Sequence, residues 1–161
     1  YIAPGVQVIG RVNLNSKVSV WHNSVLRGDV NDIIIGQNSN IQDLSMLHVT
    51  ELMPLIIGEN VTIGHSVTLH ACEVGNNSLI GMGATVLDGA KIGAYSIVAA
   101  GSVVPPGKSF PEKSMIMGAP ARVKRDLTDD EINMLNNHYK SYLRYADDFK
   151  DENTVKLLQG P

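Results

Sequence analysis

The sequence predicts a mainly β chain wound as a parallel β-helix, with one amphipathic α-helix packed alongside it. Three observations carry that prediction. Apolar residues followed by glycine recur six positions apart, as in Ile57-Gly58, Ile63-Gly64, Val74-Gly75, Ile80-Gly81 and Ile92-Gly93, and Leu69, Val86, Val98 and Val104 continue the series. Neither the helical period of 3.6 nor the strand period of two produces a spacing of six, whereas a triangular coil with one short strand per side does. The composition agrees: only 5% of residues are aromatic and Gly, Val and Ile are plentiful, which suits many short stacked strands.

In chain order, the spacing first links Val6, Val12, Val18, Ser24 and Val30, then Ile35, Ile41 and Leu47. Read in threes, the later positions form vertical columns. Leu47, Leu69, Val86 and Val104 make one, Ile35, Ile57, Val74 and Ile92 a second, and Ile41, Ile63, Ile80 and Val98 a third. Coils one strand spacing apart, about 4.7–4.9 Å, bury each column against itself and depend on their neighbours, as in any solenoid. The interval from Leu47 to Ile57 is ten residues, so Val49–Leu55 is expected to bulge out as a loop. The pattern is expected to end after Val104 at Pro105-Pro106-Gly107, giving a β-helix over 1–107 and a connecting segment with a helix over 108–161 of the same domain. Thr128 and Glu131 form a capping box, with Asp129 and Asp130 at the positive end of the helix dipole. Ile132, Leu135, Tyr139 and Tyr142 then give an apolar stripe at helical spacing.

At 161 residues with a net charge of −3, the chain fits one domain. It has no basic block with interleaved aromatics, so nucleic acid is not an expected partner. No apolar run approaches the roughly 20 residues that span a bilayer, and no secretory leader opens the sequence, so the expected compartment is the cytoplasm. The single Cys72 fits a reducing compartment and is read as a small packing residue.

His48 follows Leu47 and His70 follows Leu69, so the two imidazoles are expected on one edge, one coil apart. That separation suits two nitrogens converging on one ion at about 2.0–2.1 Å each. His65 lies two positions after Ile63, near the neighbouring corner, with Asp43 in the matching place one coil below. It is therefore not expected to reach the ion held by His48 and His70 of its own chain, but on a three-fold assembly it could complete the site of an adjacent subunit, since a cyclic trimer uses one heterologous interface three times and closes. Three imidazoles with an open fourth position make a catalytic type of zinc site. His22 and His138 are read as bystanders, one on a coil face and one on the exposed side of the helix.

The hexapeptide pattern resembles the left-handed β-helix superfamily, and the handedness follows from that resemblance alone. Within it, the stretches WHNSVLRGD (21–29), NIQDLSMLH (40–48) and IGHSVTLHACEVGNNSLIGMG (63–83), continued by GAPARV (118–123), resemble the γ-class carbonic anhydrase family. The resemblance implies reversible hydration of CO2 to bicarbonate by a metal-bound hydroxide at a site shared between subunits of a homotrimer. It implies His48, His65 and His70 as ligands of Zn²⁺, with Fe²⁺ or Co²⁺ also suited to imidazole. By the same resemblance Gln42 bonds the metal-bound water, Arg27, Asp29 and Asp43 form the interface network, with Arg27 pairing to a carboxylate of the next subunit, and Tyr142 (failing it, Tyr139) reaches the site from the helix. The chain departs from the archaeal prototype in carrying Val30 where a glutamate follows the RGD motif, and in a shortened loop after His48. Glu51, on that loop, is the residue left to shuttle protons. Two rivals stand beside this reading: a hexapeptide acyltransferase, which needs one histidine as general base, and a non-catalytic metal-binding or assembly protein, which Val30 favours.

Overall fold

A computed structural model describes residues 1–150, so residues 151–161 of the expected helical segment lie outside the described residues. The chain winds into a left-handed parallel β-helix of about six turns, followed by one C-terminal helix. Its three faces are stacks of short parallel strands. Two of them merge into one ten-stranded sheet because the strands Gln7–Leu14 and Val25–Ile35 run uninterrupted around a corner, and the third face forms a separate seven-stranded sheet.

The columns read from the sequence are the ladders of the structure. Leu47 pairs with Leu69, Leu69 with Val86 and Val86 with Val104. Ile35–Ile57–Val74–Ile92 and Ile41–Ile63–Ile80–Val98 are likewise in register. Leu47, Ile63, Leu69, Ile80 and Val98 are wholly buried in the core these ladders share. Each large inward residue is preceded, two positions earlier, by a second inward residue that is small at Ser39, Ser45, Cys72, Ser78 and Ala84 and large at Ile33 and Leu55.

That second inward set explains a slip in the upstream reading. The ladder members there are Leu14, Val20 and Leu26, opposite Ile35, Ile41 and Leu47. The positions Val12, Val18 and Ser24 belong to the small inward set two residues earlier, and Val30 is 40% exposed. The frame is restored because Leu26 and Ile35 are nine residues apart (35 − 26), a break absorbed by the long strand Val25–Ile35.

The aliphatic-Gly dipeptides have a steric cause. A Cβ at Gly75 would stand 2.5 Å from the backbone of Ala94 in the next coil, so glycine lets the coils stack flush. The following corner turns through left-handed φ at Asn38, Asn60 and Asn77, a conformation asparagine tolerates better than most residues. These asparagines form a ladder of their own: Asn38 Nδ2 donates to Asn60 Oδ1 at 2.9 Å, and Asn60 Nδ2 to Asn77 Oδ1 at 3.1 Å.

The coil pattern does not stop at Val104. Strands Ser109–Phe110 and Ser114–Gly118 extend two faces in parallel register, and Ala121–Asp126 then folds back antiparallel to close the last coil. The expected loop after Leu47 is present but shorter than 49–55, since Leu55 begins the buried strand Leu55–Ile57. The helix Asp129–Asp148 (α1) starts from the capping box of Thr128 and Glu131. It docks through Leu135 onto Ile97, Met115 and Leu127, with Ile132 at the margin. No helix among the described residues is long and apolar enough to cross a membrane.

Candidate metal centre

Leucines 47 and 69 point inward, so strand alternation turns the next residue outward on the same edge. Arg27, His48 and His70 are consecutive rungs of that outward column. His48 Nδ1 and His70 Nε2 face each other at 3.0 Å. Two nitrogens at about 2.0–2.1 Å from one ion in tetrahedral geometry lie roughly 3.3 Å apart, so the pair is close to the spacing of two ligands of one metal. Both rings are held from behind. Asp29 Oδ1 lies 3.0 Å from His48 Nε2, and Asp88 contacts His70 Nδ1. Partial desolvation works against Asp29's charge, but hydrogen bonds from Arg27 and His48 outweigh it and hold this carboxyl below its ordinary range. Within the chain Arg27 pairs with its own Asp29.

His65 occupies a different edge, two residues beyond inward Ile63. Its Nδ1 is 2.8 Å from Asp43 Oδ2, and the other oxygen of Asp43 lies 3.2 Å from His22 Nδ1. His22, read as a bystander, therefore shares a carboxylate with a candidate ligand. Among the described residues no three His, Cys, Asp or Glu side chains of one chain converge to hold a metal ion. His48 and His70 come together, and His65 stands apart from them.

Beside His65 runs a groove of about 210 Å³ between the seven-stranded sheet and α1. Gln42, His65, Leu79, Met82, His138 and Tyr142 line it. Gln42 is 4% exposed and donates from Nε2 to Asn40 Oδ1 at 3.3 Å. Burial, reinforced by Tyr145 and Asp43, pushes the Tyr142 phenol up from its usual range, and the ring packs edge-on against Trp21 at 5.8 Å. His138 corrects the reading of the helix: it is not on the exposed side but faces the groove, where burial lowers its pKa. The inward face of α1 is Leu135, His138, Tyr142 and Ala146, still at three- and four-residue intervals, and it takes in a residue that polarity alone assigned to solvent. Tyr139 does not line the groove. Nor does Glu51, whose exposed position on the loop is fixed through its backbone, where its carbonyl accepts from Asn31 Nδ2 at 3.1 Å. Cys72 is buried, its thiol pushed up to about 12 by desolvation, in keeping with a packing role.

The residue missed by the sequence reading is Asp88. No periodic signal marks it, because Leu69 is in register with Val86, so the outward residue above His70 is Leu87 and Asp88 lies one residue beyond it.

The family model described as Bacterial transferase hexapeptide (six repeats) matches residues 71–106. The carbonic anhydrase of Geobacillus kaustophilus is 43% identical over 150 residues, covering 93% of this chain and 82% of that protein. The mitochondrial gamma carbonic anhydrase 2 of Arabidopsis thaliana is 40% identical over 165 residues, covering 99% of this chain but 59% of its own length. The chain thus spans about three fifths of the plant relatives it matches. A crystal structure of a candidate acetyltransferase from Bacillus cereus superposes with a TM-score of 0.91 at 39% identity, covering 93% of this chain and 87% of that one.

Proposed function

The chain belongs to the γ-class carbonic anhydrase family, and from that premise we propose that it hydrates CO2 reversibly at a metal centre shared between subunits of a homotrimer. The observation that carries the proposal is the pair of carboxylate-held imidazoles, His48 and His70, whose facing nitrogens stand at near-ligand spacing. These two residues hold the ion from one subunit and His65 of a neighbouring subunit supplies the third ligand. Zinc is the expected metal, with ferrous iron or cobalt compatible with the same donors. A bound divalent ion supplies Lewis acidity, bringing the pKa of a water down to about 7.

The chain's own residues do the rest. Asp29, Asp43 and Asp88 each take the outer N–H of one imidazole, fixing ring orientation and raising ligand basicity. The groove beside His65 offers Leu79 and Met82 as an apolar wall for CO2, while the Gln42 amide and the Tyr142 hydroxyl supply hydrogen bonds for the incoming water and the bicarbonate oxygens. Proton export falls to Glu51. Asn31, which holds the Glu51 backbone, directly follows Val30, so the loop brings a carboxylate near the position where active archaeal members carry their glutamate.

The test is metal content and stopped-flow CO2 hydration on the purified oligomer, reconstituted with zinc or, anaerobically, with iron. Metal bound together with hydration that His65→Ala abolishes supports the shared centre. Metal without hydration supports the non-catalytic reading. The likeness to a candidate acetyltransferase favours one further alternative, an acyl-CoA-dependent transferase, for which CoA binding without metal is the expected signature.

A further inference from the structure

Asp29 and Asp88 bracket the imidazole pair from below and above, but they are not equivalent. Asp29 divides its charge, one oxygen on His48 and the other on Arg27. Among the described residues no lysine or arginine pairs with Asp88, whose carboxylate hydrogen-bonds only His70. Its backbone is fixed between coils: Gly107 N–H donates to the Asp88 carbonyl at 2.7 Å, and the neighbouring Gly89 N–H donates to Ala71 at 2.8 Å.

We infer that Asp88 is a positioning residue that decides whether His48 and His70 form a ligand pair or a closed hydrogen-bonded pair. The inference rests on the metal-binding reading above. An ionised carboxylate only accepts, so Asp88 requires a hydrogen on His70 Nδ1 and leaves a lone pair on Nε2. Asp29 likewise requires the hydrogen of His48 on Nε2, leaving a lone pair on Nδ1. The two facing atoms at 3.0 Å are then both acceptors, and a cation between them satisfies both. Without Asp88, His70 is free to carry its hydrogen on Nε2 and donate it to His48 Nδ1. That bond satisfies the pair internally and competes with the ion. Asp88 therefore acts on metal affinity, not by touching the metal, but by denying the two rings each other.

The experiment compares full-length wild type, Asp88→Ala and Asp88→Asn. Zn²⁺ affinity is measured by competition with a chromogenic chelator, Co²⁺ binding by its d–d absorption, and metal-free stability by thermal melting. Asp88→Ala is expected to weaken Zn²⁺ about 10–100-fold while leaving the metal-free Tm unchanged or raised. Asp88→Asn, whose amide oxygen still accepts from Nδ1–H, is expected to recover most of that affinity. Long-range ¹H–¹⁵N spectra of the metal-free proteins should show the His70 hydrogen on Nδ1 in wild type and on Nε2 in Asp88→Ala. Unchanged Zn²⁺ affinity in Asp88→Ala overturns the inference while the metal centre stands. So does a weakened affinity that comes with a lower metal-free Tm and no rescue by asparagine, which would make Asp88 merely structural. A wild type that binds neither ion overturns the metal reading, and the role of Asp88 with it.

Discussion

The early and late coils of this solenoid share one backbone and carry different chemistry. In the ladder Leu26–Leu47–Leu69–Val86–Val104 the inward residue is always aliphatic. The residue that follows it outward is Arg27, His48 and His70 in the early coils, then Leu87 and Pro105. The ladder Val20–Ile41–Ile63–Ile80–Val98 repeats the lesson. Two residues beyond each rung stand His22, Asp43 and His65, then Met82 and Ala100. The inward half of the hexapeptide builds the fold and is the same throughout, while the outward half carries the arginine and histidines in three adjacent coils, with Asp88 supplied by the coil above them. A likeness of backbone to a candidate acetyltransferase and a likeness of sequence to carbonic anhydrases are therefore compatible, because the backbone is set by residues that take no part in the chemistry.

The largest expected effect separates the two groups of coils directly. His70→Ala and His65→Ala should each reduce bound metal from roughly one ion per chain to background and abolish CO2 hydration. Ala100→Ser, at the register of His65 two coils on, should change neither. Elemental analysis and stopped-flow hydration read both, and metal retained by His65→Ala would remove His65 from the shared centre.

The second contrast is between inward and outward positions of one coil. Leu69 is wholly buried, so Leu69→Ala should cost about 2–5 kcal/mol in denaturant unfolding. Val103, 37% exposed on the outside of a later coil, should cost within about 0.5 kcal/mol when changed to alanine. Equal losses at the two positions would mean that the inward ladder is not the source of stability.

The same division explains what the sequence disclosed. The hexapeptide period is enforced by burial at every turn, so the columns from Ile35 to Val104 and the pairing of His48 with His70 were legible. The upstream frame was not, because Val12, Val18 and Ser24 belong to the second, smaller inward set, and spacing alone does not say which of two inward positions a valine fills. The last coil was hidden by Pro105 and Pro106, which interrupt the apolar pattern without interrupting the winding. His138 and Asp88 were missed for a different reason. Each is polar and placed by tertiary proximity, His138 by the docking of α1 and Asp88 by the coil above His70, so a pattern of apolar residues marks neither.

Smaller effects set the helix against the solenoid. The coils are held by ladders on both sides, whereas α1 is anchored at its start by local bonds. Thr128 Oγ1 accepts from the Glu131 N–H and the Glu131 carboxylate accepts from the Thr128 N–H, so Thr128→Ala should cost about 1 kcal/mol, read by thermal melting. Arg125 reinforces that start with two contacts to Glu131, at 2.7 and 2.8 Å. Its hydrogen bond is the main reason the Glu131 carboxyl falls from 4.5 to about 2, with the Thr128 N–H next. A depressed folded pKa means that the unfolded chain takes up the proton first, so this contribution is fully present above about 4.5 and is lost as the pH falls towards about 2. The Tm gap between wild type and Glu131→Gln should therefore be constant near neutrality and close over that acid window. Because the pair is solvent-exposed, the gap should also narrow in high salt. A gap that persists unchanged to pH 2 would show that the glutamine loses something other than the charge, and the start of α1 would then rest on the Thr128 cap alone.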